Sequence, residues 1–76
     1  MFYVDRDLLN LKIKKANTTN DAIAEELGID RGTWFRHLRQ NDLTISEIHE
    51  VIRILHLTTE DILAIFFAQS VAPVQQ

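Results

Sequence analysis

Three arginines and two aromatic residues fall within nine positions of the run GIDRGTWFRHLRQ, residues 28–40: Arg31, Trp34, Phe35, Arg36 and Arg39. Guanidinium groups at helical spacing are suited to nucleic-acid contact. A fork in mid-helix can bond guanine O6 and N7 together, worth about 1–3 kcal/mol of discrimination between bases. Arg36 is the residue placed for that role. Arg31 at the helix start and Arg39 at its end suit phosphate oxygens, which position a protein on a duplex but carry no sequence information. Phe35 is a candidate to touch a thymine methyl group or to anchor a protein partner, and the sequence does not separate the two. The competing reading of the arginines is a solvated face paired with nearby acids.

On a helix turning about 100° per residue, Trp34 and Leu38 share one side with His37 at its flank. Gly32, Phe35, Arg36 and Arg39 lie on the other. Trp34 is therefore expected in the core and Phe35 outside it. A helix that offers such a face needs a second helix braced behind it. Ala24 stands four residues before Gly28, followed by Ile29, a capping Asp30 and Trp34. This is helix-turn-helix spacing: the small Ala lets two helices approach, Gly makes the turn, and the apolar residues pin the second helix across the first.

The remaining elements follow from periodicity and caps, and the fold class is all-α with five short helices. A first helix is expected over about residues 5–16, with Leu9, Ile13 and Ala16 on one face. Thr19 caps a second helix that Gly28 ends, Asp30 a third that runs to about residue 39. Thr44 and Glu47 have capping-box spacing and open a fourth helix, whose apolar stripe is read as Ile45, Ile48, Ile52 and Leu55. Thr58, Glu60 and Asp61 mark the start of a fifth, ending in IFF. The helix-turn-helix domain spans residues 1–69, with the motif itself at about 19–39, and residues 70–76 form a tail containing Pro73. Ile54 points away from the fourth-helix stripe and, with Val71, Ala72 and Val74 of the tail, is a candidate homodimer seam.

Composition excludes several classes. The chain of 76 residues has room for one core, and its 46% hydrophobic and 25% charged content is that of a globular domain. It contains no Cys, hence no disulfide and no thiolate metal site, as suits a reducing cytoplasm. No signal peptide and no membrane span is read. His49 and His56 are seven apart, about 10 Å along a helix, too far to share a metal ion unaided. No nucleophile–base pairing and no glycine-rich phosphate loop is visible, so neither an enzyme nor a cofactor is expected. Net charge is −3, which argues against a non-specific DNA coat. The charge is divided: residues 12–39 carry Lys12, Lys14, Lys15, Arg31, Arg36 and Arg39 against four acids, whereas residues 40–76 carry Arg53 against five. Lys12, Lys14 and Lys15 are candidates to neutralise phosphates near the end of the first helix, or form a solvated face that complements its dipole.

The run AIAEELGIDRGTWFRHLRQNDLTISEIHEVIRILHLTTEDILAIFF resembles the small Cro/repressor-type (XRE) regulators of temperate phages of Gram-positive bacteria, over about residues 8–67. Those proteins carry adjacent aromatics and basic residues in the reading helix, then an acidic-hydrophobic fourth helix and a terminal Phe pair. The resemblance implies a lambda-repressor-like fold in which residues 19–27 support, residues 30–39 read operator DNA, and Phe66 and Phe67 close the core. Length and motif also resemble the modulator-of-repression (antirepressor) proteins of lactococcal phage switches. Three features depart from the family pattern. Asn20 stands where many relatives place a Gln that contacts phosphate or base, Gly32 replaces a Ser or Thr on the outer face, and the chain is acidic. The resemblance implies a regulator of a lysis–lysogeny switch that binds operator DNA alone or jointly with a repressor. Its alternative is an antirepressor that binds the phage repressor protein and blocks or redirects it. A toxin–antitoxin or other host regulator on the same fold is a third reading.

Overall fold

The computed structural model describes residues 3–67, and the expected tail with Val71, Ala72, Pro73 and Val74 lies outside them. Within that span the chain is all-helical: α1 (Arg6–Lys15), α2 (Asn20–Leu27), α3 (Arg31–Gln40), α4 (Ile45–Leu55) and α5 (Thr59–Phe66). The architecture is that of a small helix-turn-helix-like domain, with α2 packed closely on α3, α4 against α2, and α5 against α1. None of these helices is long and apolar enough to cross a membrane.

Each helix starts on a side chain that accepts a backbone N–H of its first turn. Asp5, Thr19 and Asp30 do so for Leu8, Ala22 and Thr33. Thr44 and Thr58 do so for Glu47 and Asp61, whose carboxylates reach back to the cap N–H and complete two capping boxes. Caps of this kind are worth about 0.5–2 kcal/mol each and stop helices this short from fraying. Gly28 ends α2 at φ 76°, in the left-handed region that favours glycine. Asn41 and His56 end α3 and α4 in the same region without being glycine, both at φ 53°.

The core is continuous. Trp34, Phe66, Leu9, Ile23, Ile65, Val4 and Val51 are fully buried at its centre, and Leu38, Ile48 and Leu55 extend it. The chain ahead of α1 belongs to it as well. Val4 is buried, its N–H donates to Asn41 Oδ1 (2.9 Å), the Asp5 N–H donates to the Ile65 carbonyl (2.7 Å), and Tyr3 pairs with Phe67 in an isolated bridge.

The fourth-helix stripe is shifted from its expected position. Ile48, Val51 and Leu55 are buried and Ile52 is half-buried, but Ile45 is 72% exposed. At about 100° per residue, Ile45 and Ile52 lie on one edge of a face centred on Ile48, Val51 and Leu55. The helix is turned towards Val51 and Glu47, which leaves the Ile in its first turn beyond the rim of the core.

Candidate binding face on the third helix

The third helix is held on three sides. On its inner face Trp34 is wholly buried and Leu38 nearly so. The indole N–H of Trp34 donates to Asn20 Oδ1 at 2.9 Å, joining α3 to the first residue of α2. His37, in the last turn, meets both carboxylate oxygens of Glu47 through Nδ1 at 2.9 and 3.1 Å. Glu47 also accepts the Thr44 N–H at 2.9 Å, so one buried carboxylate caps α4 and holds the end of α3. Beyond it, the side chain of Asn41 holds Val4. A helix with both ends and one face restrained presents its outer face in a fixed orientation.

The helix start is equally ordered. Asp30 accepts the Thr33 N–H at 3.2 Å and the Thr33 hydroxyl at 2.6 Å. These bonds, the hydroxyl first, hold the Asp30 carboxyl below its ordinary pKa. The neighbouring Gly32 is exposed, and a Cβ there would stand 3.2 Å from Asp30 Oδ2. The absence of a side chain at Gly32 therefore leaves the cap undisturbed as well as the outer face smooth.

The outer face divides into engaged and free groups. Arg31 Nε lies 3.0 Å from Asp21 Oδ1, and its guanidinium stands over the Phe35 ring, 5.5 Å from the centroid. Phe35 differs from the expectation of an outward aromatic: it is half-buried, with its body packed against the core. The reason is geometric, since an aromatic on the flank of α3 is long enough to reach the core margin while Arg31 covers its remaining face. Arg36 and Arg39 are exposed and make no ion pair among the described residues.

The other candidates sit elsewhere. Asn20 uses its amide oxygen on Trp34, and its Nδ2 donates to Asn10 Oδ1 at 3.5 Å, so its side chain braces α1, α2 and α3 together. Lys12 is drawn to Asp61 at 3.0 Å across the α1–α5 contact. Lys14 and Lys15 are exposed in the last turn of α1, where they complement its dipole, and neither joins an ion pair among the described residues. His49 and His56 are exposed, and no group of three His, Asp or Glu among the described residues could hold a metal ion.

Sequence reasoning passed over several partners. Asp21 is an acid in the first turn of α2, and its pairing with Arg31 depends on how α2 and α3 cross. Glu47 was visible as a capping residue but its second bond, to His37, was not. On the opposite side of α2 an open groove of about 620 Å³ is lined by residues that include Glu25, Glu26, Arg53 and Ile54. Arg53 bonds to Glu50 at 2.7 Å and Glu26 at 3.2 Å. The two acids, Glu50 foremost, raise its pKa above the ordinary guanidinium value.

Comparison with known proteins found no matching family model, no matching curated protein and no matching solved structure.

Proposed function

We propose that this protein is a helix-turn-helix transcriptional regulator of the phage-switch type, which lays α3 in the major groove of operator DNA, alone or jointly with a repressor. The observation that carries the reading is the division of α3. Trp34, Leu38 and His37 fasten its inner side, while Arg36 and Arg39 stand outside with no ion-pair partner among the described residues. In this reading Arg36 bonds a guanine edge and Arg39 a phosphate. Arg31 contacts phosphate while it remains stacked on Phe35, and Lys14 and Lys15 add long-range attraction.

Fluorescence anisotropy with labelled DNA from the intergenic region beside the gene tests it, at about 50 and 200 mM salt. The expected result is specific binding that weakens with salt and loses its sequence preference in Arg36→Ala. An unchanged preference in that variant removes Arg36 from base reading.

A second reading is an antirepressor that binds a repressor protein. It is favoured by the acids set around the start of α3. Asp21 neutralises Arg31, and Asp30 adds a carboxylate at the helix N-terminus, where a phosphate would otherwise be welcomed. Co-elution with the repressor in size-exclusion chromatography at micromolar concentration is expected here, and separate elution counts against it.

A further inference from the structure

We propose that Asp21 is a phosphate surrogate: its carboxylate holds the guanidinium of Arg31 in the place of a DNA phosphate, and so keeps sequence-independent affinity for DNA low. This rests on the first reading above, in which α3 meets DNA, and gives an affinity-setting role to a residue on α2, outside the reading helix.

The two acids nearest the start of α3 differ in what they are committed to. Asp30 caps the helix through the N–H and the hydroxyl of Thr33. Asp21 caps nothing, since Thr19 holds that place on α2. Its one ion pair among the described residues is with Arg31, Oδ1 to Nε at 3.0 Å, and the two side chains are 66% and 70% exposed. A pair so open to water is worth at most about fivefold in an equilibrium constant, so a second anion can displace the carboxylate. Phosphate offers the guanidinium the same chemistry, oxygens that match its planar fork. After the exchange Arg31 is still supported, because it stands over the Phe35 ring, 5.5 Å from the centroid.

The cations of α3 are therefore graded. Arg36 and Arg39 are exposed and make no ion pair among the described residues, so a duplex meets them first. Arg31 becomes available only when Asp21 is displaced, and a phosphate brought to Arg31 also approaches the Asp21 carboxylate. Phosphate contacts add affinity to every sequence alike. Withholding one weakens binding to all DNA and leaves a base contact of Arg36 untouched.

Fluorescence anisotropy of the full chain tests this with two labelled duplexes, one from the intergenic region beside the gene and one a scrambled sequence of the same composition. Asp21→Asn keeps the size of the side chain and removes its charge, and circular dichroism checks the fold. The expected gain in affinity is about fivefold at about 50 mM salt and under about twofold at about 200 mM, equal on both duplexes. In the Arg31→Gln background the gain should shrink to about twofold or less at the lower salt. Glu60→Gln, the same charge change at an exposed site on α5, should stay within about twofold of wild type. A gain that survives Arg31→Gln, or that Glu60→Gln matches, reduces the effect to net charge and overturns the proposal. A gain confined to the intergenic duplex makes Arg31 a base reader and overturns it too. Weaker binding by Asp21→Asn would mean that Asp21 steadies Arg31 for DNA instead of competing for it. Wild-type binding that Asp21→Asn leaves unchanged sinks this proposal alone, whereas no binding of either duplex by either form sinks the DNA-reading proposal and this one with it.

Discussion

The hydrogen bond between Trp34 and Asn20 shows how one residue can change its meaning between a sequence and a fold. A buried indole carries a donor that must find an acceptor, and the Trp34 ring has no exposure at all. Asn20 Oδ1 meets that need at 2.9 Å. Asn20→Ala is expected to destabilise the protein by about 1–3 kcal/mol, since it leaves the indole N–H buried and unpaired. In the Trp34→Phe background, where that donor is gone, the same substitution should cost under about 1 kcal/mol. Urea unfolding of the four-member cycle reads the coupling directly. Equal costs in both backgrounds would mean that the bond does not hold α2 to α3.

Helices of eight to eleven residues depend on their ends and on one buried face, and the element scale is where both can be tested. The turned face of α4 predicts unequal costs for two isoleucines that share the expected stripe. Ile48→Ala should cost about 2–5 kcal/mol by leaving a cavity, whereas Ile45→Ala should stay within about 0.5 kcal/mol. Thermal unfolding separates them, and a large cost at Ile45 would restore the original stripe. The caps predict an acid limit. Asp30 is held below its ordinary carboxyl pKa chiefly by the Thr33 hydroxyl, and Asp61 below its own by the Thr58 N–H first and Lys12 second. A folded-state pKa below the unfolded one contributes stability that is present above the unfolded value, 3.8. That contribution is lost as pH falls through the lower folded value. Stability should therefore fall with acidification below about pH 4, and Asp30→Asn, which keeps an N-cap, should flatten that slope. An unchanged slope between pH 4 and pH 2 in Asp30→Asn would show that the cap titrates alike in both states.

For the whole molecule the decisive feature is that five short helices share one small core, which leaves Arg36 and Arg39 of α3 outside it. The sequence alone determined that 76 residues have room for one core, that their net charge is −3, and that seven of the eight lysines and arginines precede residue 40. Local pattern determined the five helices, because Thr19, Asp30, Thr44, Thr58 and Gly28 act on neighbours within a few residues. It determined the burial of Trp34 too, since angular spacing along one helix needs no knowledge of the others. What crosses between helices was left to the tertiary structure. The exact turn of α4 on its axis, the depth of Phe35 and the bonds Asn20–Trp34, His37–Glu47 and Lys12–Asp61 all span pairs ten or more residues apart. The clasp of Arg53 on Glu26 does the same. Helical periodicity places a side chain to within one side of its own helix. Only the packing of a second helix decides whether that side meets solvent, a carboxylate or the core.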